Sequence, residues 1–362
     1  MKNQELLTAD NYFSKESQET EFEKIFSNNW FFGGMTTDLL ENNSFVTLNI
    51  FDYPILIQNF KGEIKAFENI CPHRFNKIQT EARGKGIFMC KYHNWSFDKN
   101  GKPKTIPQKN VFDTACEAFD CLQVKPLKIA EVGKFLFVSL NDNVDSIDKY
   151  LGAFTDKLLE ISAAINNNFY FNDDEQAVNW KIIVENVVEA YHCPAIHQET
   201  LYGMGFCRKP EANDEYDNGH SVADYPKADD APAENKILKH LNNREMQHDT
   251  FRHYFIFPNL LISSTEATSI YIGNVLPVNS EKTILRKRFY DPIFKDNFEP
   301  KAAVHNAFLE MVKTSINQIL AEDKVVLEQI QKNMKFVKKT YFLGNEEKRI
   351  ADFHRKYLET IA

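Results

Sequence analysis

No stretch of this chain is apolar enough, for long enough, to cross a membrane as a helix. The best candidate, residues 134–140 (Lys-Phe-Leu-Phe-Val-Ser-Leu), is a buried strand at most. The opening Met-Lys-Asn-Gln-Glu-Leu-Leu-Thr lacks the apolar core of a signal peptide. Cysteine is scarce: six in 362 residues make no disulfide framework, and a reducing cytoplasm is the expected location. Basic residues do not dominate either. With 43 Lys and Arg against 51 Asp and Glu, the net charge of −8 argues against a nucleic-acid surface. Internal repeats and low-complexity tracts are missing, which excludes solenoids and disordered arrays. No Gly-x-Gly-x-x-Gly follows a strand and no ferredoxin-type run of four cysteines occurs, so neither a dinucleotide-binding domain nor a ferredoxin is built in. What remains is an ordinary globular composition, 43% hydrophobic and 26% charged, with length for two domains and no membrane partner.

Residues 10–28 carry helix signals, with Ser14 and Ser17 as caps and Phe22, Ile25 and Phe26 as apolar positions. From residue 44 to 67 the pattern is β, with a hairpin turn at Lys61-Gly62-Glu63. Two loops follow, Cys71-Pro-His73-Arg-Phe and Cys90-Lys-Tyr-His93-Asn-Trp-Ser-Phe, before more strand-like sequence up to about residue 145. Two thiolates and two imidazoles would satisfy zinc. Zinc fingers, however, pair Cys with Cys and His with His, whereas each loop here offers one of each. That mixture suits a Rieske [2Fe–2S] centre, one iron held by Cys71 and Cys90 and the other by His73 and His93.

A second constellation lies in residues 179–197, Asn-Trp-Lys-Ile-Ile-Val-Glu-Asn-Val-Val-Glu-Ala-Tyr-His-Cys-Pro-Ala-Ile-His. On a helix, Glu185, Glu189 and His192 share one face. Pro194 opposes helix at Cys193, so the chain is expected to turn between His192 and His197 and bring both imidazoles to one point. Imidazoles beside carboxylates are the material of a transition-metal site.

The two cluster loops closely resemble those of Rieske oxygenases, and Asn-Trp-Lys, Glu-Asn, an acid and Tyr-His-x4-His resemble the mononuclear iron motif of Rieske non-haem iron oxygenase α subunits. The resemblance extends to Asn29-Trp-Phe-Phe-Gly-Gly, Phe255-Ile-Phe-Pro-Asn259 and Glu346-Glu-Lys-Arg-Ile-Ala-Asp-Phe-His354. It implies an α+β fold: an N-terminal helical segment (1–40) packing on the catalytic domain and an all-β Rieske domain (41–145). A catalytic domain (146–362) follows, with an antiparallel sheet flanked by helices, of helix-grip, START-like type. It also implies a [2Fe–2S] cluster, a mononuclear Fe(II) and O2 as co-substrate. The expected partners are a separate NAD(P)H-dependent reductase with flavin and [2Fe–2S], a ferredoxin in some systems, and two further copies in a homotrimer.

The resemblance assigns His192 and His197 to the iron and takes a third ligand from a late helix. Apolar positions from Val304 to Ile330 run at helical spacing, with Asp323 inside the stripe and Glu322 at its edge. Asp323 is therefore the expected ligand and Glu322 the fallback. Asn186 and Glu189 are the expected catalytic residues, Glu189 bridging His192 to His93 of a neighbouring protomer. The block Glu-Asn-x-x-Glu-x-Tyr-His-Cys resembles glycine betaine and carnitine oxygenases. The implied reaction is mono-oxygenation and N-demethylation of a quaternary ammonium compound, with Tyr202, Phe206, Phe257 and Tyr271 as cation–π lining. The alternative is a ring-hydroxylating oxygenase of aromatic acids or hydrocarbons. Cys116 and Cys121 read as ordinary thiols, and Cys193 as pointing away from the ligands. Four further histidines, His220, His240, His248 and His253, in or just after a charged insertion (209–243), read as surface or lid residues.

Overall fold

The computed structural model describes residues 6–112, 122–232, 243–339 and 342–362. Cys116, Cys121 and His240 lie outside the described residues. The chain divides into two compact units: Phe26–Asp145, and a larger one in which the segment ending at Ile25 joins Ser146–Ala362.

The smaller unit is built on an antiparallel seven-stranded sheet. Its strands are β1 (Phe31–Met35), β2 (Ser44–Ile50), β3 (Tyr53–Phe60), β4 (Glu63–Glu68), β5 (Arg83–Lys85), β8 (Pro126–Val132) and β9 (Phe135–Ser139), in the order β1-β9-β8-β4-β3-β2-β5. A short ribbon of β6 (Ser96–Phe97) and β7 (Pro103–Thr105) stands apart. The expected hairpin is present: Phe60 pairs with Glu63, and Lys61 and Gly62 both have positive φ, the two-residue turn whose twist matches its strands. Phe45, Leu56 and Phe67 from these strands pack with Ile78, Phe88, Trp95 and Phe97, and this core also buries Cys71 and Cys90. The contact boundary falls at Phe26 because Phe-Phe-Gly-Gly-Met, with adjacent glycines that disfavour helix, forms β1 and pairs with β9.

The larger unit opens with α1 (Asp10–Phe13) and α2 (Lys15–Thr20), the latter capped by Ser14, which accepts from Ser17 N at 3.1 Å, and continues in a wide helical turn at Glu21–Phe26. Helices α3 (Ile147–Leu151) and α4 (Phe154–Ala164) lead into β10 (Ile165–Gln176). Then come α5 (Trp180–Val187) and α6 (Cys193–Ile196), followed by β11 (Ala212–Asp217), β12 (His220–Pro226), β13 (Thr250–Ile256), β14 (Leu260–Thr265), β15 (Ser269–Asn279) and β16 (Lys282–Pro292). These strands form one antiparallel sheet, β10-β16-β15-β14-β13-β12-β11. The stretch read as a charged insertion therefore supplies two strands, β11 and β12. Helix α7 (Ala302–Met334) runs unbroken past residue 321, contacts α5 and β10, and buries Phe308, Val312, Asp323 and Leu327 along one stripe. Helix α8 (Lys348–Ile361) closes the described chain.

Candidate metal centres and active-site cavity

The two cysteine loops of the smaller unit repeat one turn. Cys71 N donates to Asn76 O and Phe75 N to Cys71 O; Cys90 N donates to Trp95 O and Asn94 N to Cys90 O, each at 2.9 Å. The fifth residue of each turn, Phe75 or Asn94, has a φ near +60°. Each loop thus presents a buried thiol and, two or three residues on, an imidazole. The His73 and His93 rings lie 4.6 Å apart, with His73 stacked on Trp95 at 4.5 Å. Burial and the neighbouring Cys90 push the Cys71 thiol up to about 11, opposed by the backbone N–H groups of His73 and Arg74. His73 Nδ1 is buried with no hydrogen-bond partner. Two buried thiols aligned with backbone donors, beside an unpartnered imidazole nitrogen, form a donor set that fits a [2Fe–2S] group of the Rieske kind.

In the larger unit, helix α5 ends at Val187, so Glu185, Glu189 and His192 do not share a helix face. Glu185 accepts from Tyr12 Oη at 2.5 Å and from His354 Nε2 at 3.0 Å, apart from the histidine pair. The break comes before His192 rather than between the histidines. Its cause is Glu189, whose carboxylate accepts from the backbone N–H groups of Tyr191 and His192 and so competes with helix propagation. Pro194 then sits in the first turn of α6, where its missing N–H costs nothing, and His192 is the cap of that turn.

One carboxylate holds each imidazole from behind. His192 Nδ1 donates to Glu189 Oε1, and His197 Nδ1 donates to Glu322 Oε2 at 2.8 Å. Glu322 is itself fixed by Thr200 Oγ1 at 2.8 Å and Gln318 Nε2 at 3.0 Å. The free Nε2 atoms face each other at 3.2 Å, with Asp323 Oδ1 at 3.6 Å from His192 Nε2 and 3.1 Å from His197 Nε2. Metal–ligand bonds of about 2.0–2.2 Å at tetrahedral or octahedral angles place donor atoms roughly 3–3.5 Å apart, so the triangle fits a transition-metal ion. Three acceptors converging this way demand positive charge. Although burial opposes it, contacts with Cys193 and Glu189 raise His192 to about 10, and Asp323 and Glu322 raise His197 to about 9. The thiol of Cys193, expected to point away, instead lies within 4.8 Å of both imidazole donors and meets Cys207, whose hydrogen bond pushes it upward together with burial.

The triangle opens on a cavity with about 90 Å³ accessible to the centres of water molecules. Asn186, Glu189, His192, His197, Asp323 and Tyr271 line it, as do Tyr225, Phe251, His253 and Ser263. Three of the four aromatics expected there do not. Tyr202 lies under the Arg208 guanidinium at 5.0 Å, Phe206 is buried with Cys193 and Leu201, and Phe257 packs on Phe353. Phe206 and Phe257 went into the core, where most aromatics go, and Tyr202 is only half-buried. His220 and His253 are corrections of the opposite kind. Both are buried, His220 donating to Tyr150 O at 2.9 Å, and His248 is half-buried against Ser264. The signal available for His253 was strand alternation in Phe251-Arg-His253-Tyr-Phe255, which places 251, 253 and 255 on one face.

Residues 167–362 match the ring hydroxylating alpha subunit (catalytic domain) family, and residues 29–123 match the Rieske [2Fe-2S] domain. The first match covers more than half of the chain, which belongs to this family. A Rieske domain joined to this catalytic domain entails a [2Fe–2S] cluster and a mononuclear iron that uses O2. The glycine betaine monooxygenase oxygenase subunit of Chromohalobacter salexigens is 35% identical over 191 residues, 51% of this chain and 41% of that protein. The anthranilate 1,2-dioxygenase large subunit of Acinetobacter baylyi is 25% identical over 319 residues, 76% of this chain and 67% of that one. A crystal structure of the quaternary ammonium Rieske monooxygenase CntA, in complex with its substrate L-carnitine, shares the fold. Its TM-score is 0.77 at 19% identity, over 98% of this chain and 94% of that one. The chain spans about two-fifths of the length of the first of these relatives and two-thirds of the second. No helix among the described residues is long and apolar enough to cross a membrane.

Proposed function

We propose that this chain is the terminal oxygenase of a multicomponent system and acts on a small quaternary ammonium compound, by mono-oxygenation and N-demethylation. The observation that carries the reading is the triangle of His192 Nε2, His197 Nε2 and Asp323 Oδ1 at the wall of a largely apolar cavity. His192, His197 and Asp323 would hold the mononuclear iron, a two-histidine, one-carboxylate face that leaves positions open. Cys71, Cys90, His73 and His93 would hold the cluster. The bound metals supply electron delivery and O2 activation. The chain's own contribution is to fix both imidazoles through Glu189 and Glu322, to dry the cavity, and to present aromatic faces to a cation. Tyr225 and Phe251 join Tyr271, in place of Tyr202, Phe206 and Phe257, as the proposed cation–π surface.

Glu322 is engaged behind His197, which supports Asp323 as the third ligand. Glu189 already holds His192, which supports its role as the link toward the cluster of a neighbouring protomer in a homotrimer. A separate NAD(P)H-dependent reductase would supply electrons, in the cytoplasm. The relative acting on glycine betaine favours the quaternary ammonium substrate; the anthranilate relative keeps aromatic acids as the second reading.

The test is anaerobic reduction followed by one turnover in air, with methylated amines and aromatic acids as a panel. Formaldehyde with loss of a methyl group is the expected result. A diol or phenol instead would replace the substrate reading while leaving the oxygenase reading standing.

A further inference from the structure

The cavity wall contains polar groups that the metal sites do not use. His253 on β13 pairs with Ser263 on β14, and Ser263 with Tyr271 on β15. Directly opposed residues on neighbouring strands project from the same side of a sheet, so the three form one row, and all three line the cavity. His253 and Tyr271 are 2% and 4% exposed. Neither His253 nitrogen has a hydrogen-bond partner, and neither has the Tyr271 hydroxyl. Burying an unpaired polar group costs free energy, so two such side chains aimed into one cavity call for a ligand that satisfies them.

Two further features indicate which ligand. Tyr271 holds its position because Gly273 has no side chain; a Cβ there would come within 2.3 Å of the Tyr271 hydroxyl and 2.8 Å of its Cζ. Behind His253 lies the buried Arg349, whose Nη2 donates to His253 O at 3.4 Å and whose Nε donates to Ser221 Oγ at 3.0 Å. Among the described residues no Lys or Arg lines the cavity itself. Any negative end of a ligand there meets neutral N–H and O–H donors, with the guanidinium field one layer back.

We propose that His253, Ser263 and Tyr271 form the hydrogen-bonding subsite for the carboxylate of a betaine-type substrate, setting which end of the molecule faces the iron. This rests on the quaternary ammonium reading for the other end of the substrate, and on the cavity geometry alone for the carboxylate end. A buried imidazole held neutral by desolvation, as His253 is, still offers one N–H donor.

The test measures binding to the iron-loaded protein by calorimetry. Glycine betaine is compared with tetramethylammonium, and benzoate with toluene, for wild type, Tyr271→Phe, His253→Leu and Gly273→Ala. The expected result is that wild type prefers the carboxylate member of a pair and that each substitution weakens that member about tenfold to a hundredfold. The member without a carboxylate should be unaffected by Tyr271→Phe and His253→Leu, whereas Gly273→Ala, which displaces the Tyr271 ring, should weaken both. Without ligand, Tyr271→Phe and His253→Leu should melt no lower than wild type, since neither removes a hydrogen bond; a structural role would lower both. Unchanged carboxylate affinity in the variants, or equal loss for both members of a pair in Tyr271→Phe and His253→Leu, overturns the subsite. So does a wild type that fails to favour either carboxylate. Preference for benzoate with no binding of either methylammonium probe would retain the subsite and discard the quaternary ammonium reading.

Discussion

Each imidazole of the histidine pair gives one nitrogen to a carboxylate and turns the other toward its neighbour, so the chemistry of the pair is set by acids that need not touch a metal. Glu322→Gln should keep the iron but weaken it about 10- to 100-fold, because the amide holds His197 less firmly and lowers its basicity. Asp323→Ala should lose the mononuclear iron and leave the cluster absorption intact; iron and sulfide analysis with visible spectra separates the two. Protons report on the same atoms. In metal-stripped protein the acids around His192 and His197 raise both imidazoles above their ordinary range, and the two Nε2 atoms, 3.2 Å apart, share one proton at neutral pH. Fe(II) binding must displace that proton, so about one should be released per iron at pH 7, measured with an indicator dye. The sign follows: affinity rises with pH and release fades as pH passes 9 to 10.

Among the elements, the Asn-Trp-Lys run at the start of α5 is a clamp rather than part of the chemistry. Asn179 caps α5 by accepting from Lys181 N at 3.0 Å, and its Nδ2 donates to Ser280 O and Tyr12 O at 2.8 and 3.1 Å. Trp180 Nε1 donates to Glu21 at 2.7 Å, Lys181 pairs with the same carboxylate, and Tyr357 Oη donates to it at 2.8 Å. One buried acid therefore ties the N-terminal segment, α5 and α8 together. Glu21→Gln would leave Lys181 buried without its counter-charge and should cost about 3–5 kcal/mol in urea unfolding. In the smaller unit Gly101 has φ +82°, and a Cβ there would lie 2.3 Å from Val124 O. Gly101→Ala should therefore destabilise that unit, by at least the roughly 1–2 kcal/mol of the left-handed conformation, visible as a lower melting temperature of the cluster absorption.

At the scale of the whole molecule, acid sensitivity follows from histidines used as neutral joints. His220 donates Nε2–H to Tyr150 O and accepts from Phe257 N at 3.1 Å, and burial drops it to about 4. Its pKa is depressed in the fold, so between about 6.5 and 4 the unfolded chain binds the extra proton. Stability is complete above that window and falls as pH falls through it, by about 3 kcal/mol. Urea midpoints at pH 7 and pH 5 should diverge for wild type and diverge less for His220→Gln, the remainder coming from the half-buried His248 and the buried His253.

The two cluster loops, the histidine motif and the carboxylate on a late helix were legible in the sequence, because each is set by local spacing: two or three residues within a turn, or a 3.6-residue stripe. Cys71, His73, Cys90 and His93 needed no more than that. The choice between Asp323 and Glu322 was not legible. Adjacent residues on α7 point about 100° apart, and only the packing of α7 against Thr200 and His197 decides which of them faces the two Nε2 atoms. Neither was the cavity wall, since Phe257 and Phe251 are alike in sequence and differ in which side of β13 and its following turn meets the interior. His253, Ser263 and Tyr271 are far apart along the chain and become one row through strand register, a property of pairing between strands that no single segment contains.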